Sequence, residues 1–129
     1  MLKSFICWLF NLRFPDKSLN DETEFHTEGT RSGSWESLST SFLLNKKCAI
    51  CGSTDNLQAH HKKPFHVYPE LELEVKNLVP LCGKKSRNCH FIFGHLMNWV
   101  TYNHDLDNTI EYFQLLRKTA KMRADRYGR

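Results

Sequence analysis

Residues 48–64 read CAICGSTDNLQAHHKKP, and residues 77–95 read NLVPLCGKKSRNCHFIFGH. Together these two segments contain four of the five cysteines and four of the seven histidines of a chain of 129 residues. Cysteine and histidine are the side chains that zinc and other transition metals prefer in proteins. We therefore expect the chemistry of the chain to lie between residues 46 and 100.

The four cysteines form two pairs, Cys48 with Cys51 and Cys82 with Cys89. The first pair spans a Cys-x-x-Cys-Gly turn, in which glycine tolerates the positive φ that such turns often require. A redox role for Cys48 and Cys51 needs a thioredoxin-like strand-to-helix context, whereas the segment that follows them is polar. Four thiolates complete a tetrahedral Zn²⁺ site, so the spacing predicts a structural zinc; free structural thiols are the alternative.

Between the two pairs, the pattern of residues 57–61 alternates as in a strand. Such a strand points the adjacent residues His60 and His61 to opposite faces, so the two can do different work. Residues 77–82 predict a second strand, and Pro80 makes it an edge or bulged strand.

A helix is expected to follow the second strand. It begins at Cys89 or His90, after Asn88 as its N-cap. Its apolar residues are interpreted as core, and they are Ile92, Phe93, Leu96, Met97 and Val100. The two strands and this helix form a small ββα unit whose ends the zinc site ties together.

The flanking segments predict two further parts. Residues 1–34 comprise an N-terminal packing helix over 1–14 and a polar linker, and residues 105–129 form a basic C-terminal helix from Asp107 or Asn108. A short helix from Trp35 to about Asn45, with Ser34 as N-cap, opens the central part.

Composition and charge exclude several classes of protein. Hydrophobic residues make up 40% and charged residues 25%, which excludes collagen-like and wholly disordered chains. Residues 1–40 carry four basic and six acidic side chains and residues 41–129 fourteen and eight, a mild preference for a polyanion. The apolar run from Phe5 to Phe10 lacks a signal cleavage site and is shorter than the about 20 residues that span a bilayer. We expect a cytoplasmic protein with reduced thiols and no membrane partner.

The ordered set of motifs resembles the HNH endonuclease family, in its zinc-bound, phage and bacterial branch. The resemblance extends from about Arg31 to Tyr102. It is carried, in chain order, by Cys48-x-x-Cys51, Ala59-His60-His61-x-x-Pro64, Asn77-Leu78-Val79-x-Leu81-Cys82 and Cys89-His90. It implies an α+β fold with a ββα-metal core in residues 35–104. It also implies hydrolysis of DNA phosphodiester bonds, by nicking or double-strand cleavage, with one catalytic divalent metal.

The resemblance assigns the family's His, Asn and His to His61, Asn77 and His90. His61 is then the general base, and Asn77 steadies its loop and the base by hydrogen bonds. His60 and His90 hold the catalytic metal, which is Mg²⁺, Mn²⁺ or another divalent ion, in addition to the structural Zn²⁺.

A third metal ligand, His95, lies five residues after His90. Positions five apart on a regular helix diverge by roughly 140°, so both imidazoles reach one metal only if the helix is distorted. Gly94 permits such a distortion; a phosphate-binding or supporting role for His95 is the alternative. The other histidines, His66 and His104, are interpreted as surface residues.

The expected nucleic-acid contacts are basic side chains that track the phosphate backbone without reading sequence. They are Lys62, Lys63, Lys84, Lys85, Arg87, Arg117, Lys118 and Lys121. Three of them lie in the insert 83–88, which is longer than the family's usual two residues and is either a phosphate-binding loop or a surface insertion. For the basic C-terminal helix, a solvated face is the alternative.

Two other interpretations of the whole chain remain. A catalytically inactive, zinc-stapled module that binds DNA or protein would keep the scaffold without the chemistry, and a redox protein would bind no zinc. For an active nuclease of this size, clean double-strand cleavage would indicate a homodimer or sequential nicking, and a partner protein is a further alternative. The resemblance also implies that the enzyme acts in a bacterial cell or a phage-infected host.

Overall fold

The computed structural model describes residues 30–128. The expected helix over 1–14, with Cys7, and the linker up to residue 29, with His26, lie outside the described part. The described elements are helix α1 (Trp35–Leu43), strand β1 (Leu57–His61), strand β2 (Leu78–Cys82), a π-helical turn (His90–Gly94) and helix α2 (Leu106–Tyr127). Two 3-10 turns, Pro69–Leu71 and Val75–Asn77, lie between the strands. The described chain is therefore a small α+β structure, as the sequence predicts.

The two strands pair as an antiparallel sheet with the predicted bounds almost unchanged. Their register sets His61 opposite Leu78 and Leu57 opposite Cys82. The carbonyl of Pro80 accepts a hydrogen bond from the backbone N–H of Ala49 at 2.9 Å. The sheet is thereby tied to the turn that holds the first pair of cysteines.

The hydrophobic core is small and centres on cysteine. Its buried members are Cys48, Ile50, Val79, Leu81, Cys82, Cys89 and Leu106. Three of these seven residues carry thiols, so almost half of the buried core consists of side chains expected to bind zinc. Metal binding and folding are coupled in such a domain.

The helix predicted from Cys89 to Val100 is wrong beyond its first turn. Only the π-helical turn His90–Gly94 forms, because Leu96 and Met97 adopt positive φ angles of 54° and 62° and end the helix. Asn88 also has positive φ, 57°, and the residue in the N-cap position is Cys89.

Most of the apolar residues expected on that helix are therefore not core. Ile92, Met97 and Val100 are exposed, and Phe93 alone among the predicted set packs against the core cluster. The 3.6-residue periodicity that predicts the helix depends only on the residues of this segment. The hydrogen bonds that end the helix involve the loop that follows, which the periodicity does not include.

The flanking helices differ from expectation in detail. Ser34 occupies the N-cap position of α1, but its side chain makes no capping hydrogen bond. Helix α2 begins at Leu106, slightly earlier than predicted, and runs for 22 residues. Only its first turns pack: Leu106 and Thr109 are buried, and from Leu115 onward its apolar side chains are exposed. Apart from Arg117, whose guanidinium reaches Gly52, the second half of α2 therefore projects from the domain. Within the described part of the chain, no helix is long and apolar enough to cross a membrane.

Candidate metal centres

The four cysteines converge on one point. Their sulfur atoms all lie within 4.8 Å of one another, and the sulfurs of Cys51 and Cys82 are 3.7 Å apart. Three of the four side chains are buried. Convergence at this spacing fits a tetrahedral metal site, and zinc is a plausible occupant because the donor set is all thiol.

Local backbone geometry forms the first half of the cluster. The N–H of Gly52 donates to the carbonyl of Cys48 at 2.8 Å, and the N–H of Cys48 donates to the carbonyl of Ser53 at 2.8 Å. Gly52 has a φ of 76°, the conformation that the turn requires and that glycine adopts without strain. A side chain at this position would also collide with the guanidinium of Arg117, which lies against the turn.

The insert between Cys82 and Cys89 is a compact turn that returns the chain to the cluster. The N–H groups of Ser86 and Asn88 both donate to the carbonyl of Gly83, at 3.0 and 3.1 Å. The wide spacing of the second pair therefore does not prevent all four sulfurs from meeting.

The thiols influence one another's ionisation. A hydrogen bond from Cys89 lowers the pKa of Cys48, and the same bond raises the pKa of Cys89. Burial raises the pKa of Cys51. Cys48 therefore forms a thiolate more readily than Cys51 or Cys89 does.

Three histidines form a second cluster. One nitrogen each from His60, His90 and His95 lies within 4.8 Å of the others. His60 comes from β1, and the other two come from the ends of the π-helical turn, where the N–H of His95 donates to the carbonyl of His90 at 3.1 Å. A π-helical turn has one more residue than an α-helical turn, so residues five apart lie on the same side of it. His95 therefore joins the cluster, as its predicted role as a third metal ligand requires.

Hydrogen bonds fix which nitrogen each ring presents. Nδ1 of His90 lies 2.6 Å from Oε1 of Gln58, and Nδ1 of His95 lies 2.8 Å from the carbonyl of Thr101. Both acceptors require a protonated Nδ1, which leaves Nε2 with a free lone pair. Nε2 of His60 is buried and has no hydrogen-bond partner among the described residues. A buried nitrogen without a partner fits a metal ligand, because burial of an unsatisfied polar atom is otherwise costly.

Electrostatics keep these rings neutral. Burial, reinforced by the neighbouring imidazoles, lowers the pKa of His60 to about 2, and burial lowers that of His90 to about 4. The pKa of His95 is also lowered, mainly by burial. Neutral imidazole is the form that donates to a metal ion, so the cluster is prepared for a cation at neutral pH.

Gly94 makes room for the His60 ring. A Cβ at Gly94 would lie 2.9 Å from Cε1 and 3.1 Å from Nε2 of His60. We expect Gly94→Ala to weaken divalent-metal binding at the histidine cluster by about 10-fold or more, because the ring must move away from its ligand position. Isothermal titration of the zinc-loaded protein with Ni²⁺ measures the effect.

The matched control for this variant is Gly33→Ala, because a Cβ at Gly33 would meet nothing within 4 Å. Alanine is the better helix former, so Gly94→Ala should not unfold the protein. Unchanged Ni²⁺ affinity in Gly94→Ala would show that the His60 ring does not need this space.

His61 is not one of the three clustered histidines, in agreement with the alternation of β1. Its Nε2 lies 2.9 Å from the carbonyl of Glu72, and its ring stacks on Trp35 with 4.5 Å between centroids. Because a carbonyl only accepts, Nε2 carries the proton and the lone pair of Nδ1 is free.

Asn77 stabilises the backbone just after His61. Its Oδ1 accepts from the N–H of Lys63 at 2.8 Å, and its Nδ2 donates to the carbonyl of Lys63 at 2.9 Å. Its own carbonyl accepts from the N–H of Lys62 at 2.8 Å. Asn77 thus steadies the loop as the resemblance implies, but it has no direct hydrogen bond to His61 in the described structure.

Four groups that contact the histidines of these centres are not predicted from the sequence. They are Gln58, Glu72, Trp99 and the carbonyl of Thr101. The Trp99 ring packs 4.8 Å from His95 and 5.6 Å from His90, yet the residue is 60% exposed. No spacing pattern links these residues to the ligands, although the alternation of β1 would place Gln58 on a defined face.

The basic residues expected to contact DNA have different surroundings in the structure. Lys62 pairs with Asp107 at 3.0 Å, and Nζ of Lys63 lies over the Tyr68 ring at 5.4 Å. Both lysines line a cavity of about 390 Å³ that also contains Glu74 and does not include the histidine cluster. Arg117 lies against the first cysteine turn. The remaining side chains are exposed or half-buried: Lys84, Lys85, Arg87, Lys118 and Lys121.

The two histidines interpreted as surface residues differ from each other. His104 is exposed and stacks on Tyr102, with 4.0 Å between ring centroids. His66 is half-buried, and this burial lowers its pKa.

No family model, curated protein or solved structure matches this chain in the three comparisons with known proteins.

Proposed function

We propose that this chain is a metal-dependent DNA endonuclease of the HNH type. The observation that carries the proposal is the presence of two clusters, four thiols and three imidazoles, with a histidine outside both clusters, His61, directly after His60 in β1. The two clusters differ as structural and catalytic metal sites do. A structural site uses all its coordination positions for protein ligands, as four thiols would, and a catalytic site leaves some open, as three imidazoles would.

The assignment of roles follows from the free nitrogens. His60, His90 and His95 would hold a divalent metal that, when bound, stabilises charge on the phosphate and on the leaving 3′ oxygen. The four cysteines would hold a structural zinc. Imidazole nitrogen favours Zn²⁺, Ni²⁺ and similar transition metals over Mg²⁺, which prefers oxygen ligands.

His61 supplies the general base in this proposal. Burial lowers the pKa of His61, although the hydrogen bond to the Glu72 carbonyl opposes the shift, so the ring is neutral at physiological pH. Nδ1 accepts a proton from the attacking water, while the Nε2–H remains bonded to the carbonyl of Glu72 and stabilises the imidazolium. The water oxygen bonds to phosphorus as the bond to the 3′ oxygen breaks, and the departing 3′ oxygen takes a proton from solvent, which gives a 5′-phosphate and a 3′-hydroxyl.

A DNA substrate is consistent with the charge of the chain. The net charge is +4, and the exposed basic residues are spread over the insert 83–88 and helix α2. Such contacts follow the backbone and give affinity that falls with salt concentration. The proposal therefore includes DNA as the partner, bound mainly through phosphate.

The deciding experiment is cleavage of supercoiled plasmid by the zinc-loaded protein. We expect conversion to the nicked or linear form with Mn²⁺, Ni²⁺ or Zn²⁺, weaker cleavage with Mg²⁺, and none in EDTA. The variant His95→Ala should keep one zinc per chain at the cysteines and lose most of the cleavage.

Two results would contradict the proposal. Cleavage that persists in EDTA would exclude a metal-dependent nuclease. A folded protein that keeps its zinc and cuts nothing with any of these metals would favour the binding module that has lost catalysis.

A further inference from the structure

Two contacts hold the ring of His61. One edge of its ring donates from Nε2 to the carbonyl of Glu72, and one face stacks on Trp35 with an interplanar angle of 27°. Trp35 is the first residue of α1, and Glu72 lies in the loop between the strands. The two partners come from segments on either side of β1 in the chain.

Glu72 is itself fixed by the segment that precedes α1. Its side chain is 7% exposed, and its carboxylate accepts hydrogen bonds from Nη1 of Arg31 at 3.4 Å and from the backbone N–H of Ser32 at 3.0 Å. A carboxylate at this depth is retained only if it is paired, because loss of hydration is costly. The loop that presents the Glu72 carbonyl is thereby attached to residues about 40 positions earlier.

Arg31 connects both contacts. Its guanidinium lies 4.8 Å from the Trp35 ring centroid and 4.9 Å from that of Phe65, in addition to its ion pair with Glu72. Arg31 therefore contacts both the ring that stacks on His61 and the residue whose carbonyl accepts the hydrogen bond from His61 Nε2. We call Arg31, Trp35 and Glu72 the His61 brace.

An ion pair whose arginine is 47% exposed is weak evidence for stability, because solvent-exposed ion pairs contribute little to the free energy of unfolding. The brace instead fixes one tautomer and one ring orientation. We infer that Arg31, Trp35 and Glu72 are positioning residues, which act through His61 by holding its Nδ1 toward the reacting water. This inference rests on the proposed function.

The first test separates the turnover number from substrate binding. Trp35→Ala should lower kcat for plasmid cleavage by about 10- to 100-fold with KM within about 2-fold, because a small misplacement of a catalytic group is costly in rate. Trp35→Phe, which keeps an aromatic face, should recover most of that loss. The matched control is Phe42→Ala on the same helix, a half-buried position whose ring lies under Lys46. Equal losses of kcat in Phe42→Ala and Trp35→Ala would overturn the inference.

The second test asks whether the brace acts through His61. In the His61→Ala background, Trp35→Ala should cause no further loss of the residual cleavage, since the group that it positions is absent. Losses that multiply in the double variant would overturn the inference.

A third measurement does not depend on cleavage. Nitrogen-15 NMR of the wild-type protein should show His61 as the Nε2–H tautomer, and Arg31→Ala should give a mixture of tautomers. If the wild type cuts no DNA, the proposed function fails, and the tautomer alone decides the brace. An unchanged His61 tautomer in Arg31→Ala and Trp35→Ala would refute it.

Discussion

Replacement of His61 by glutamine is expected to slow plasmid cleavage by about 10²- to 10⁴-fold, the usual contribution of a positioned general base. Glutamine can still donate from its amide to the carbonyl of Glu72, the partner of His61 Nε2. It cannot take a proton from water at neutral pH. The variant therefore removes the proton acceptor and keeps the local hydrogen bond, and single-turnover cleavage rates measure the loss directly.

The control for this loss is His104→Gln, which changes an exposed histidine that stacks on Tyr102. Its cleavage rate should match the wild type. Both variants should retain one zinc and the wild-type thermal transition. A His61→Gln protein that cuts at the wild-type rate would remove His61 from the reaction and leave the identity of the base to another group.

Loss of the cysteine-bound zinc is expected to unfold the domain. Cys48, Cys82 and Cys89 are at most 2% exposed and are three of the seven buried residues of the hydrophobic core. Structural zinc contributes on the order of 10 kcal/mol in small domains, comparable to the whole stability of a typical protein. We expect Cys82→Ser to abolish the cooperative thermal transition at 25 °C and above, measured by circular dichroism, and to lower zinc content to near zero.

The matched control is Cys7→Ser, which changes the only cysteine outside the two pairs. That variant should bind one zinc per chain and keep the thermal transition of the wild type. A Cys82→Ser protein that unfolds cooperatively at the wild-type temperature would show that packing alone stabilises the core, and that the four thiols need no metal.

Local patterns predict the sheet and the cysteine cluster well. The strand at residues 57–61 follows from strict alternation, and it places His60 and His61 on opposite faces because a strand has a period of two. Short spacing within the first pair, Cys48 and Cys51, fixes that turn regardless of the remaining fold. These features depend on residues that are neighbours in the sequence.

The parts that escape prediction depend on distant contacts. The regular helix expected after Cys89 competes with bonds from the following loop, where the hydroxyl of Thr101 donates to the carbonyl of His95 at 2.6 Å. Arg31 and Glu72 meet across 41 positions, and no periodicity signals such a pair. The five-residue spacing of His90 and His95 does indicate a distorted helix, since a π-type turn brings residues five apart to the same side, where both can bind one metal ion.

The part of α2 that projects beyond Arg117 has a length that can be expressed in nucleotides. From Lys118 to Tyr127 this helix extends about 15 Å at 1.5 Å per residue. One strand of duplex DNA carries a phosphate about every 3.4 Å, so the same length corresponds to about four phosphates. In a DNA-bound chain whose α2 followed one strand, this arm would therefore cover about four nucleotides beyond the folded domain.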